Sequence, residues 1–105
     1  MTFESLFSAI QEKLLKADAS AFGSHAAFEF QVKGEAAGVF YVEIKDGRIT
    51  AAPYNYYDRD ALFVADGETY LEIIKGEVNP MIAFAVGRLK VTGDLAKAQL
   101  VSTIL

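Results

Sequence analysis

The chain is predicted to fold as an α+β domain, with helices covering one face of a five-stranded, mainly antiparallel sheet. Three observations carry that reading. Phe28, Phe30 and Val32 alternate with Glu29, Gln31 and Lys33, and Phe40, Val42 and Ile44 alternate with Tyr41, Glu43 and Lys45. This period of two belongs to strands with one buried face. Asp46-Gly47 follows the second run and suits a tight hairpin turn that needs positive φ. The remaining segments complete an order of helix, four strands, two helices, strand and helix, which places helices together on one side of a sheet.

Taken in order, Phe3, Leu6, Phe7, Ile10 and Leu14 recur at three- and four-residue intervals and predict a helix from about Phe3 to Lys16, capped by Thr2. The two alternating runs are the first strands, joined by a turn at Gly34 to Gly38. Arg48 to Ala52 returns as a third strand that Pro53 ends. Ala61 to Ala65 is a fourth, nearly all apolar and so expected to be covered on both faces. Asp66 opens a helix that buries Tyr70, Ile73 and Ile74 and stops at Gly76. Asn79 caps the next helix, Pro80 fits its first position and Gly87 its exit. All six side chains from Met81 to Val86 are apolar. Because a surface helix keeps a polar stripe, this one is expected to be covered on every side, by core, by a partner protein or by a bound apolar molecule. Arg88 to Thr92 forms a fifth strand with Leu89 and Val91 inward. A last helix follows Gly93-Asp94, lined by Leu95, Ala98, Val101 and Leu105, with Leu100 and Ile104 widening its apolar side.

A length of 105 residues fits one domain, and 52% hydrophobic residues leave apolar surface to spare for binding. The net charge of −4 opposes a nucleic-acid role, which needs a basic footprint. With no cysteine there is no disulfide framework, thiolate nucleophile or cysteine-based zinc site, in keeping with a cytoplasmic location. No apolar run reaches membrane-spanning length, so stable membrane insertion is not expected, and the N-terminus lacks the pattern of a signal peptide. His25 is the only histidine, and no Gly-x-Ser-x-Gly elbow, dinucleotide fingerprint, P-loop or zinc helix occurs. No cofactor and no enzymatic role are expected. Asp58, Asp60 and Asp66 lack the spacing of a calcium loop and read as solvated turn charges.

The run Gly76-Glu77-Val78-Asn79-Pro80-Met81-Ile82-Ala83-Phe84-Ala85-Val86-Gly87-Arg88-Leu89-Lys90-Val91-Thr92-Gly93-Asp94 resembles the signature of the sterol carrier protein type 2 family. Tyr41 to Gly47 is similar to that family's second strand and hairpin, and Asp60 to Val64 to its fourth strand. The resemblance implies a non-catalytic lipid-binding or lipid-transfer domain, spanning the whole chain, with an apolar tunnel for a fatty acid, an acyl-CoA ester or a sterol-like ligand. Carried over residue by residue, Met81, Ile82, Phe84 and Ala85 would form one tunnel wall, Phe40, Val42 and Ile44 the sheet wall, and Leu100, Val101 and Ile104 the closing helix.

The residues themselves leave alternatives open. On sequence alone an all-apolar run such as the Asn79 helix is more commonly a central core helix. Tyr54 and Tyr56, with Tyr57, read either as corner packing or as hydroxyl donors to a ligand head group at the pocket mouth. Arg59, Arg88 and Lys90 read as a scattered solvated surface or as partners of an anionic head group. Glu29, Glu43 and Glu68 read as ordinary outer-face and first-turn carboxylates. The competing function is a protein interaction or dimerisation module that buries the surplus apolar surface, so the chain is expected to be a monomer or a homodimer.

Overall fold

A computed structural model describes residues 1–23 and 25–105. Helix α1, Phe3–Leu15, starts where the sequence places it. The Thr2 hydroxyl accepts from the Ser5 amide at 3.1 Å, and Ser5 Oγ accepts from the Thr2 amide at 3.2 Å, so two otherwise unpaired N–H groups are satisfied. Leu6, Phe7, Ile10 and Leu14 form its buried stripe.

Strand β1 runs His25–Lys33, β2 Gly38–Lys45 and β3 Arg48–Ala52. Asp46 and Gly47, between β2 and β3, have φ of 51° and 79°, the left-handed pair that a two-residue hairpin requires. After an extended segment come β4, Ala61–Asp66, helix α2, Gly67–Ile74, and helix α3, Pro80–Ala85. Strand β5, Lys90–Gly93, leads into α4, Leu95–Gln99, which tightens into a 3-10 turn over Leu100–Thr103. The five-stranded sheet has the order β3-β2-β1-β4-β5. Every neighbouring pair is antiparallel except β1 with β4, which is parallel.

Register explains where the core sits. Phe40 lies opposite Phe30, Phe30 opposite Phe63, and Phe63 opposite Val91, so one row of inward side chains crosses four strands. The Phe30 ring stacks on Phe40 at 4.9 Å and on Phe63 at 4.7 Å, nearly parallel in both cases. Phe7 of α1 meets Phe40 at 5.5 Å, and Tyr70 of α2 presents its edge to Phe30 at 6.0 Å. The buried Tyr70 hydroxyl donates to the Gln31 carbonyl at 3.0 Å, and burial pushes its phenol well above the usual range.

Two expectations are corrected. Strand β4 is not fully covered on both sides: Ala61, Phe63 and Ala65 are buried, but Leu62 and Val64 on the other face are only half-buried. Nor is helix α3 surrounded by core, the first of the three covers considered for it. Of its six residues only Ala83 is buried, whereas Ile82 and the following Val86 are 61% and 65% exposed. Its local signals suffice without full burial. The Asn79 side chain accepts from the Met81 amide at 2.8 Å, and the Ala83 carbonyl accepts from the amides of both Arg88 and Leu89. A helix of under two turns carries few side chains, so leaving some exposed is tolerable.

The outer face of the sheet is polar and strapped by residues 53–60. Glu29, read from the sequence as an ordinary outer-face carboxylate, is 3% exposed. Its carboxylate accepts from the Tyr56 amide at 2.9 Å, from Gln31 Nε2 at 3.1 Å and from Arg59 at 3.5 Å. A buried carboxylate needs such partners to offset its desolvation.

Candidate functional site

An apolar groove opens between α3, β5 and α4 on the inner side of the sheet. Its walls are Phe63 from β4, Pro80, Met81 and Phe84 from α3, Leu89 and Val91 before and on β5, and Leu95, Ala98 and Gln99 from α4. Local sequence explains the arrangement. Pro80 fixes the entry of α3, and Gly87, at φ 82°, turns the chain back so that Leu89 and Val91 follow on the inner face. Gly93, at φ 105°, has no room for a side chain, since a Cβ there would approach Ala61 Cα to 2.9 Å. That close passage lets the Asp94 amide donate to the Asp60 carbonyl at 2.8 Å, and the Asp94 carboxylate cap α4 through the Lys97 amide at 3.0 Å.

The groove has a cavity volume of about 50 Å3. A single water needs roughly 10–15 Å3 on that measure, so the groove as it stands holds the equivalent of only a few waters. Among the described residues Gln99 is its only polar lining side chain, and no charged one lines it. Two cations of the adjoining turn and helix are held in ion pairs. Arg88 pairs with Glu72 at 2.7 Å and donates to Thr69 Oγ1 at 3.1 Å, and its hydrogen bond to Glu72 raises its already high pKa. Lys97 pairs with Asp60 at 3.2 Å. These pairs pin the α3–β5 turn and α4 in place and leave the groove neutral.

Of the residues singled out from the sequence, the structure brings Met81 and Phe84 to the groove. Ile82 and Ala85 lie on the exposed side of α3. Phe40, Val42 and Ile44 are fully buried in the packed core and do not line the groove. Val101 and Ile104 are also core residues, with Leu100 half-buried against them. The expected tunnel wall along β2 is therefore a closed layer. Tyr56 lies on the opposite face of the sheet, stacked on Tyr41 at 5.0 Å with its hydroxyl donating to Glu43 at 3.0 Å. Tyr54 is 65% exposed in the same segment. Arg59 serves Glu29 there, and Asp60 accepts from the Ala27 amide at 2.9 Å while Asp66 caps α2 through Thr69. Among the described residues no three histidine, aspartate or glutamate side chains gather to hold a metal.

Phe63, Pro80, Leu89, Val91, Leu95, Ala98 and Gln99 were not picked out from the sequence as groove residues. One signal was there. The inward alternation of Leu89 and Val91 follows the short α3 helix; Leu89 is buried and Val91 only half-buried.

Comparison with known proteins agrees with this architecture. Residues 3–105 match the model of the SCP-2 sterol transfer family. Hydroxysteroid dehydrogenase-like protein 2 of Xenopus tropicalis is 24% identical over 105 residues, covering 99% of this chain and 24% of that protein. Sterol carrier protein 2 of Arabidopsis thaliana is 32% identical over 60 residues, 57% of this chain and 49% of that protein. The chain thus spans about a quarter to a half of the length of these relatives. The solution structure of palmitated SCP2L2 from Aedes aegypti superposes with a TM-score of 0.73 at 16% identity, covering 97% of this chain and 92% of that one. From the strand order, the capped short helices and the match along nearly its whole length, the chain belongs to the SCP-2 sterol transfer family.

Proposed function

We propose that this chain is a non-catalytic lipid carrier that takes the hydrocarbon tail of a fatty acid or acyl ester into the groove between α3 and α4, and that it works in the cytoplasm. The observation that carries the reading is the groove itself: apolar but for Gln99, at the junction of two helices of six and five residues. The palmitated state of the Aedes aegypti protein supports an acyl tail over a sterol body. Binding is reversible burial. Each methylene removed from water contributes about 0.8 kcal/mol, so roughly ten would give about 8 kcal/mol before ordering costs, an affinity in the micromolar range or weaker. A carrier must release its cargo, so modest affinity is an advantage. Accepting that many methylenes requires α3 and α4 to part, and both are short and joined to the sheet by few side chains.

The test is uptake of a fluorescent fatty acid by the wild type and by Phe84→Asp. Phe84 is 40% exposed and lines the groove, so the variant is expected to fold and to lose at least tenfold in affinity through the charge placed against the tail. A folded variant that takes up the probe as before removes Phe84 from the wall. Light scattering of the purified wild type addresses the interaction module. A stable dimer that takes up no lipid would replace the carrier reading.

A further inference from the structure

We propose that Phe63 is the floor of the groove and sets the length of tail the protein accommodates, a specificity role that rests on the carrier reading above. Phe63 is the innermost of the groove's lining residues, 3% exposed, and stands in the inward row between Val91, which also lines the groove, and Phe30, which does not. The row changes character at this residue. On its β5 side the next position holds a half-buried valine beside open space; on its β1 side Phe30 and then Phe40 follow as stacked rings at 4.7 and 4.9 Å. Parallel rings at that spacing leave no room for a chain between them.

Phe63 is also fixed in place. Its face lies on Phe30 and its ring meets Phe28 edge-on at 5.8 Å, so it cannot turn aside without displacing a second core ring. A tail entering between α3 and α4 therefore stops at Phe63, and any further methylenes remain in water. Affinity rises with tail length by about fourfold for each methylene covered, then levels off once the tail reaches the ring. A residue that only filled the core would weaken all tails alike and leave the levelling point where it was.

The experiment measures the affinity of a homologous series of straight-chain fatty acids for the full chain, its Phe63→Leu and Phe63→Ala variants, and Val91→Phe. Near-ultraviolet circular dichroism and melting curves establish which variants are folded. Shortening residue 63 is expected to move the levelling point to longer acids, with about a fourfold gain for each newly covered methylene. Val91→Phe, which continues the aromatic row into the groove from a half-buried site, is expected to move it to shorter ones and keeps the test open should both Phe63 variants unfold. A levelling point unmoved in a folded variant overturns the floor. A wild type that binds no acid of any length fails differently, since it removes the carrier reading and the floor with it.

Discussion

The two ends of the inner sheet face are built from the same apolar residue types and end up in opposite states. At the β2–β1 end, α1 has 13 residues and extends about 20 Å, enough to lay Leu6, Phe7, Ile10 and Leu14 across several strands. At the β4–β5 end, α3 and α4 have six and five residues and extend only about 9 and 7.5 Å. One end is sealed by interlocked rings and the other keeps a groove. The two ends differ in helix length, and the groove lies where the helices are short.

The largest expected effect lies at the sealed end. Phe30 is 1% exposed and touches three other rings in the stack, so Phe30→Ala removes contacts that the short-range structure cannot refill. A loss of about 3–5 kcal/mol is expected, read as a shifted midpoint in urea unfolding. Phe84→Asp, at the open end, is expected to change stability by under about 1 kcal/mol while lowering affinity at least tenfold. Equal losses of stability at the two sites would break the contrast.

What could be read from the sequence follows the same division. The Thr2 and Asn79 caps, the Asp46-Gly47 turn and the alternation along β1 and β2 are written within a few residues, and the structure places each of them as expected. The groove depends on pairings far apart in sequence. Parallel alignment of β1 with β4 puts Phe63 against Phe30, and nothing local to residues 61–65 specifies that partner. The same holds for Glu29, whose burial depends on Tyr56 and Arg59 arriving from a segment 27 and 30 residues later. Of the three covers the all-apolar run of α3 allowed, the structure removes core: Met81 and Phe84 border the groove and only Ala83 is buried.

A smaller effect sharpens the open end. Asn79 holds the start of α3 through the Met81 amide at 2.8 Å, and Asn79→Ala removes that cap at a cost of about 1 kcal/mol. Because Pro80, Met81 and Phe84 all move with this helix, lipid affinity is expected to fall with stability, whereas the same cost at the α1 cap, by Thr2→Ala, should leave affinity unchanged. Similar losses of affinity in both variants would mean that the groove responds to global stability and not to α3.

The smallest effect separates the two faces of the sheet. Glu43, on the outer face, is held below the usual carboxylate range by its hydrogen bonds from His25 at 3.2 Å and Tyr56 at 3.0 Å, and Tyr56 is raised in turn by Glu43. A carboxyl whose folded pKa is depressed binds fewer protons folded than unfolded, so its contribution is present above the ordinary glutamate value and is lost as pH falls through the depressed one. Asp66, lowered chiefly by the Thr69 amide, follows the same sign. Stability in urea is therefore expected to decline below about pH 4.3, and less steeply in Glu43→Gln, where only Asp66 and other carboxylates remain to titrate. Protection of the Tyr56 amide, its exchange rate relative to an unfolded chain at the same pH, should fall over the same range as the strap loosens. The groove has no titratable lining side chain, so uptake of a straight-chain alcohol, a probe without its own carboxyl, is expected to stay level until the protein unfolds. Loss of alcohol uptake in step with Tyr56 protection, while the fold persists, would show that the strap and the groove are coupled through the sheet.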